Sequence, residues 1–300
     1  MEYNLRSSHD LADGPSVKAT LRMASPETMR QTMQHIPRKR FSQNFLVDRH
    51  TIGRIVDVID PRPGEPIIEI GPGRGALTRA LLTRTDRLTA IEIDRDLAAA
   101  LSEELPESRL SIVVADALTV DIRALGGVGG GLRIVGNLPY HISSPLLFHC
   151  AQFADAIRDM HFMLQHEVVE RMAAAPDTTE YGRLSVMLQS QFDVTKLFSV
   201  PAGAFHPVPA VESAIVRLVP LGVGAPPIAD RAVFEKIVAA GFGQRRKTLR
   251  NSLQKHIDEA ALRALGVDPG ARAETLSVDA FVAIANAVAN QDASIARAQS

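Results

Sequence analysis

Short apolar segments alternate with helical segments between residues 66 and 164, and this alternation constrains the fold more than any other feature. Most β-branched stretches are followed by a segment whose apolar residues recur at helical spacing, which predicts a parallel sheet with helices on both faces. Right-handed crossovers place the carboxyl ends of such strands on one edge, where ligands bind. The predicted strands are 66–70, 87–91, 111–114, 133–135 and 160–164, and the predicted helices are 51–59, 76–82, 97–105 and 145–153.

The alternation of strands and helices stops towards the carboxyl end of the chain. Segments 194–200 and 214–219 have the pattern of late strands, and we expect a hairpin that closes the sheet. A Pro- and Gly-rich linker then leads to segments with helical spacing and no strand between them. The helices predicted there are 233–242, 247–256, 259–265 and 278–289.

The expected architecture is a Rossmann-like α/β domain over residues 37–221, followed by a smaller all-helical domain over 228–300. Residues 1–36 have no sustained periodicity, and we expect a poorly ordered N-terminal extension.

Composition excludes several classes of protein. The formal net charge of −1 argues against an indiscriminate polyanion binder such as a histone, although it permits a local basic surface. Cys150 is the only cysteine, so neither an intrachain disulfide nor a cysteine-rich zinc site can form. The nine histidines have no metal-ligand spacing, and we expect no metal. No apolar run approaches the length of about 18 residues that spans a membrane, and no signal-peptide pattern is present, so we expect a cytoplasmic protein.

A glycine-rich turn, Glu69-Ile-Gly-Pro-Gly-Arg-Gly75, follows the first strand and precedes a helix. Gly71 and Gly73 allow the backbone to turn sharply and to approach a ligand closely. Glu92 lies 21 residues after Gly71 at the end of the next strand, where a carboxylate accepts hydrogen bonds from ribose hydroxyls. Asp116 ends the following strand and is placed to bind the amino group of an adenine. The alternative is a tight strand–helix turn that binds no ligand.

The spacing of the turn distinguishes two adenosine cofactors. A dinucleotide fingerprint reads G-x-G-x-x-G and needs an open helix N-terminus or a basic group for its pyrophosphate. Gly-Pro-Gly-Arg-Gly preceded by Glu69 suits an amino-acid tail better. S-adenosylmethionine therefore fits the pattern better than a nicotinamide dinucleotide.

A tetrapeptide, Asn137-Leu138-Pro139-Tyr140, follows the strand that ends at Gly136. An exocyclic amine is a poor nucleophile because its lone pair is delocalised into the ring. Two acceptors, the Asn137 side-chain carbonyl and the Leu138 backbone carbonyl, can hold the two amine protons and direct the lone pair at a methyl donor. Pro139 stiffens the peptide, and Tyr140 offers a ring on which a flipped base stacks. The alternative is an ordinary strand-end turn in which Tyr140 caps the core.

The chain resembles small-subunit rRNA adenine dimethyltransferases over about residues 37–290. The resemblance begins with Arg38-Lys-Arg-Phe-Ser-Gln-Asn-Phe-Leu-Val-Asp48 and includes the glycine-rich turn and the tetrapeptide. The further matching motifs are Ile91-Glu-Ile-Asp94, Asp116-Ala117, Met163-Leu-Gln165, Tyr181-Gly-Arg-Leu-Ser185, Ala204-Phe-His-Pro-Val-Pro209 and Gln244-Arg-Arg-Lys-Thr-Leu-Arg-Asn-Ser252. Ser42 and Arg74 stand at positions that this family varies, and residues 1–36 have no counterpart.

The resemblance implies a methyltransferase that uses S-adenosylmethionine and places two methyl groups on each of two adjacent adenosines. These adenosines lie in a hairpin near the 3′ end of small-subunit rRNA, within an immature 30S-type subunit, so a role in late subunit assembly is implied. Asn44 and Leu46 would contact the cofactor, Gly71 would hold its methionine part, and Asn137 would lie against both cofactor and target. We expect a monomer that contacts no membrane.

Two basic clusters are candidate RNA contacts. Residues 242–256 carry five basic side chains and no acidic one, and a second cluster precedes the Asn44 region. Such clusters neutralise phosphates without reading sequence, although solvated surfaces have the same composition. Phe205 is a further candidate, either as a second aromatic surface for the flipped base or as a core residue. The predicted RNA-binding residues are Arg38, Lys39, Arg40, Phe205, Arg245, Arg246, Lys247 and Arg250.

Three other functions stay open at this point. A non-catalytic assembly or transcription factor could use the same scaffold, but the intact tetrapeptide and Glu92 argue against it. Protein and DNA amine methyltransferases usually have Pro where Leu138 stands, and the basic helical region favours RNA. A relative that methylates large-subunit rRNA is the nearest rival.

Overall fold

A seven-stranded sheet organises the α/β part of the chain. The computed structural model describes residues 44–126, 131–244 and 246–298, and the predicted extension 1–36 lies outside these ranges. The strands are β1 Phe45–Leu46, β2 Ile67–Ile70, β3 Leu88–Glu92, β4 Leu110–Val114, β5 Leu132–Asn137, β6 Ile157–Gln165, β7 Phe192–Val200, β8 Phe205–His206 and β9 Ser213–Pro220. The helices are α1 Arg49–Ile59, α2 Ala76–Leu81, α3 Arg95–Glu104, α4 Ile122–Gly126, α5 Ser143–Ala151, α6 His166–Ala173, α7 Arg183–Gln189, α8 Arg231–Phe242, α9 Leu249–Ser252, α10 Glu259–Ala264 and α11 Val278–Ala298.

The strand order in the large sheet is β4-β3-β2-β5-β6-β9-β7. Strands β2 to β6 are parallel to one another, and β9 runs antiparallel between β6 and β7. The carboxyl ends of β2, β3, β4 and β5 therefore meet at one edge, as the alternation predicts.

Apolar side chains cover both faces of this sheet. On one face, Ile68 and Ile134 pack with residues of α5 and α6, including Leu146 and Met172. On the other face, α1, α2 and α3 contribute side chains such as Ile55, Leu81 and Leu101. Because β2 and β5 are covered on both faces, they are mostly apolar, and the exceptions are Glu69 in β2 and Arg133 and Asn137 in β5.

The helical carboxyl-terminal part has its own apolar cluster. Phe234 of α8 and Phe281 of α11 are buried there, and Phe242 stacks on Phe281 with ring centroids 5.4 Å apart. Tyr181, which precedes α7, belongs to the same cluster, and its hydroxyl donates to the carbonyl of Leu276 at 2.9 Å. Tyr181, although it precedes β7 in the chain, is thus part of the core of the helical region.

The predicted fold class is confirmed, and so is the antiparallel pairing of the two late strands. One helix prediction is wrong. Helical spacing predicts a helix over 247–256, but α9 spans only Leu249–Ser252. The N–H groups of Leu249 and Arg250, in the first turn of α9, donate to the carbonyls of Ala271 and Pro269, so tertiary contacts instead of a preceding helical turn satisfy them.

Sequence reasoning also missed α6, α7 and the small sheet in which β1 pairs with β8. Among the described residues, no helix is both long enough and apolar enough to cross a membrane.

Candidate active site

A cavity of about 290 Å³ opens at the carboxyl ends of β2, β3, β4 and β5. The structure brings together at this cavity every residue predicted to bind the cofactor or to act in catalysis. These lining residues are Asn44, Leu46, Gly71, Gly73, Glu92, Asp116, Asn137, Leu138, Pro139 and Tyr140.

The glycine-rich turn forms the floor of the cavity. Gly71 and Gly73 have φ values of 69° and 57°, in the left-handed region that favours glycine. A Cβ atom on Gly73 would lie 3.2 Å from Cε1 of the Phe45 ring. That ring also has the Arg74 guanidinium over it, 4.5 Å from the ring centroid. Phe45 and Arg74, which sequence reasoning did not assign to the site, therefore shape the wall beside the turn.

Glu92 is buried at the end of β3 and is held by two backbone groups. Its carboxylate accepts hydrogen bonds from the N–H of Gly73 at 3.1 Å and of Asp94 at 2.9 Å. Burial raises its pKa above the ordinary value, while these backbone bonds act in the opposite direction. The second acid of the Ile91–Asp94 motif has a different role, because Asp94 caps α3 by accepting from the N–H of Asp96.

Glu69 is an acid that sequence reasoning did not assign to the site. It lines the cavity, is only 1% exposed, and burial raises its pKa to about 7, with a further contribution from the charge of Glu92. Its Oε2 atom has no hydrogen-bond partner within the part of the chain that the structure describes. A buried oxygen of this kind can bind a donor from a ligand or from ordered water. A charged residue inside the apolar run Ile67–Ile70 is the sequence signal that identifies it.

Asp116 lies at the opposite, more open end of the cavity. Its Oδ1 atom accepts from the N–H of Leu118 at 3.0 Å and caps a short 3₁₀ turn. The side chain is exposed, so its second carboxylate oxygen can reach a ligand. Exposed Ile93, which follows Glu92, lines the cavity between these two acids.

Asn137 joins the tetrapeptide to the segment that precedes β1. Its Nδ2 atom donates to the backbone carbonyl of Asn44 at 3.1 Å. This bond fixes the orientation of the amide and makes Oδ1 its acceptor end. The Asn44 region is in turn held by Asp48, which caps α1 by accepting from the N–H of Thr51 at 2.8 Å.

The rest of the tetrapeptide is held by the neighbouring strands. Leu138 is buried, and its N–H donates to the carbonyl of Met163 in β6 at 3.2 Å. The carbonyl of Pro139 accepts from the Ser143 hydroxyl at 3.2 Å. Tyr140 is half-buried, and its hydroxyl forms a hydrogen bond of 2.9 Å with that of Ser213. The backbone that carries the predicted acceptors is therefore fixed before any ligand binds.

Phe205 is a core residue, which is one of the two roles that the sequence left open. The expectation that its ring stacks on the flipped base is corrected. It is 2% exposed, pairs with Leu46 across the β1–β8 sheet and packs in the core beside Leu81 and Met163. Its ring does not line the cavity.

The basic residues of the helical part form an exposed surface. Arg246 and Lys247 lie in the turn before α9, and Arg250 lies on α9 with one nitrogen 3.8 Å from Glu259. Lys236 and Lys255 extend this surface, and both contribute to lowering the pKa of His256, after the larger effect of burial. The four other predicted contacts, Arg38, Lys39, Arg40 and Arg245, lie outside the described residues.

The side chains that could ligate a metal were compared by their positions. Within the described ranges, His, Cys, Asp and Glu side chains form no cluster of three or more that could hold a metal ion.

Comparisons with known proteins agree with this geometry. The model of the family described as ribosomal RNA adenine dimethylase matches residues 34–290. A ribosomal RNA small subunit methyltransferase A of Aromatoleum aromaticum is 56% identical over 256 residues, which cover 85% of this chain and 96% of the relative.

Two solved methyltransferase structures have a similar fold. A 23S rRNA methyltransferase, ErmE, is 31% identical with a TM-score of 0.63, and the match covers 82% of this chain and all of that one. A dimethyladenosine transferase from Plasmodium falciparum, at 22% identity, superposes with a TM-score of 0.69 over 80% of this chain and 95% of that one. The expected S-adenosylmethionine-dependent methyltransferase fold is thereby confirmed. Since the family model and the close relative both extend over most of the sequence, the chain belongs to the ribosomal RNA adenine dimethylase family.

Proposed function

We propose that this protein transfers methyl groups from S-adenosylmethionine to the N6 amines of two adjacent adenosines in a hairpin near the 3′ end of small-subunit rRNA. The observation that carries the proposal is the hydrogen bond from Asn137 Nδ2 to the carbonyl of Asn44, which makes Oδ1 the acceptor end of a residue that lines the cavity together with Leu138 and Tyr140. The 56% identity to a small-subunit methyltransferase, against 31% to a 23S rRNA methyltransferase, supports the small subunit as the target.

The cavity residues fit S-adenosylmethionine. Three carboxyl groups, of Glu69, Glu92 and Asp116, line the cavity, which favours a cationic ligand over a pyrophosphate. The unpartnered Oε2 atom of Glu69 suits a donor at the amino-acid end, Glu92 suits ribose hydroxyls, and Asp116 suits the amino group of adenine. Asn44, Leu46 and the glycine-rich turn would complete this site.

The chain positions the target amine. S-adenosylmethionine supplies a methyl group that its sulfonium activates for transfer. In the first transfer, Asn137 Oδ1 and the carbonyl of Leu138 accept hydrogen bonds from the two N6–H groups, which directs the nitrogen lone pair towards the cofactor side of the cavity. In the second transfer the amine has one N6–H left, and one of the two acceptors binds it. Pro139 keeps these acceptors in place, and Tyr140 stacks on the flipped base. The alkylated amine is acidic enough to lose its proton to water, so the mechanism needs no strong base.

The basic surface of the helical part binds the RNA backbone in this proposal. Residues 37–221 form the catalytic domain and 228–300 the RNA-binding domain of a monomer that acts in the cytoplasm during late small-subunit assembly. Arg38, Lys39, Arg40 and Arg245 would add phosphate contacts to those of the exposed side chains.

The catalytic assignment is tested with Asn137→Ala. We expect the rate of methyl transfer to immature small subunits to fall at least about 100-fold, because the variant lacks an acceptor aimed at the reacting amine. The matched control is Asn286→Ala, which removes an amide that also bonds two backbone groups, the N–H of Ala229 and the carbonyl of Pro227, in the helical part. Wild-type activity in Asn137→Ala would overturn the mechanism.

The RNA surface is tested by replacing Arg246, Lys247 and Arg250 with Ala together. The slope of log affinity against log salt concentration should become less steep by about 0.7–0.9 for each phosphate that the variant no longer neutralises. Arg123→Ala, which removes an exposed arginine paired with Asp155 on the α/β part, should leave the slope unchanged. An unchanged slope in the triple variant would exclude this surface as the RNA-binding face.

A further inference from the structure

The hydroxyl of Tyr140 is anchored by a buried side chain outside the tetrapeptide. Tyr140 lies in a short 3₁₀ turn after β5, whereas Ser213 begins β9, two positions away in the sheet order. The two hydroxyls are 2.9 Å apart, and Ser213 is fully buried at 0% exposure. The bond therefore reaches across the end of β6.

Ser213 is a rigid anchor because it is paired on both sides. It stands opposite Gln165 of β6 and opposite Val200 of β7. The preceding carbonyl, that of Glu212, accepts from the N–H of His166 at 3.0 Å. Because this backbone is fixed on both sides, the bond holds the hydroxyl end of the Tyr140 ring in one place.

The bond has a structural role, because it satisfies the hydroxyl of fully buried Ser213. The half-buried Tyr140 ring also contributes apolar area to the cavity wall. Stacking also depends on where the ring lies. We propose that Ser213 is a positioning residue that holds the end of the Tyr140 ring, and with it the position of the ring on which the target adenine stacks. This inference rests on the proposed function of Tyr140.

Spectroscopy tests the anchor without any reaction. The chain has three tyrosines and no tryptophan, so the Cζ carbons of a tyrosine-labelled protein give few NMR signals. Ser213→Ala should shift the Tyr140 Cζ signal, because the hydroxyl loses its partner, and should leave the signal of Tyr181 in place. An unshifted Tyr140 signal would overturn the proposal.

Kinetics test the consequence for methyl transfer. Ser213→Ala and Tyr140→Phe should each lower the single-turnover rate about 5- to 10-fold, the effect expected of one hydrogen bond, and the double variant should be no slower than either single one. The cofactor Kd should not change, and monomethylated adenosine should accumulate because a poorly stacked base is presented less well for its second methylation.

Ser190→Ala is the matched control, since Ser190 is also buried, at 1% exposure, but donates to the carbonyl of Met187 away from the cavity. It should leave the rate and the product ratio unchanged. If Ser213→Ala fails to fold, Tyr140→Phe still tests the bond. Full activity of Ser213→Ala or of Tyr140→Phe, or additive losses in the double variant, would overturn the role of Ser213. An inactive wild-type protein would instead overturn the proposed function itself.

Discussion

Replacing Gly73 with Ala tests whether the glycine-rich turn and the Phe45 wall hold the cofactor. At a φ of 57° an alanine costs about 1–2 kcal/mol of backbone strain, of which about 0.4–1 kcal/mol is regained through the smaller entropy of the unfolded chain. The variant should therefore lose about 1 kcal/mol of stability and about 2–4 °C in Tm.

The added methyl group has a second, local effect. It would lie 3.2 Å from the Phe45 ring, and that ring cannot retreat freely because the Arg74 guanidinium lies on it. The N–H of Gly73 also donates to Glu92, so a displaced turn disturbs the acid that we propose to bind the ribose as well. We expect the Kd for S-adenosylmethionine to rise about 10-fold, which corresponds to about 1.4 kcal/mol.

Calorimetric titration and thermal unfolding separate the two effects when Gly222→Ala is measured in parallel. Gly222 has nearly the same φ, 56°, but a Cβ atom there meets no atom within 4 Å, and the residue does not line the cavity. Both variants should lose similar stability, and only Gly73→Ala should lose affinity. Wild-type affinity in Gly73→Ala, or an equal loss in Gly222→Ala, would refute the reasoning.

Two further predictions concern buried charges. Because the pKa of Glu69 is raised to about 7, the folded state holds its proton more tightly than the unfolded state. The free energy of unfolding should therefore fall by about 3 kcal/mol as the pH rises from about 5 to 8. Denaturant unfolding should show that Glu69→Gln removes most of this fall, and a variant with the same pH profile as the wild type would contradict the prediction. Arg133→Ala leaves the carboxylate of buried Asp159 without its bond from Nε, 3.0 Å away, and should lower the free energy of unfolding by about 3–5 kcal/mol. Arg158→Ala removes an exposed partner of Glu65 and should lower it by under about 1 kcal/mol. Equal losses of stability in chemical denaturation would argue against a buried network.

The parts of the fold that depend on local periodicity could be predicted from the sequence. The parallel strands and the glycine-rich turn follow from apolar spacing and from residues such as Gly71, whose positive φ is a conformation that glycine adopts readily. The gathering of Glu92, Asp116 and Asn137 at one cavity follows from the rule that parallel strands share a carboxyl edge.

Contacts between distant segments could not be predicted in this way. The β1–β8 pairing involves two residues on each strand, too few to produce a period, and it buries Phe205, which sequence reasoning offered as a stacking surface. Helical spacing predicts a helix over 247–256, but not that bonds to the 269–271 segment satisfy the first N–H groups of the shorter helix α9. The bond between Tyr140 and Ser213 likewise joins residues that only the sheet order brings together.

Mapping of the transferred methyl groups tests the central claim most directly. Immature small subunits from cells that lack this gene would be incubated with the purified protein and S-adenosylmethionine carrying a deuterated methyl group, and the rRNA fragments would be analysed by mass spectrometry. We expect the label as N6,N6-dimethyladenosine at two adjacent positions in one hairpin near the 3′ end of small-subunit rRNA. Label in large-subunit rRNA, on another base, or on neither adenosine of that hairpin would contradict the proposed function.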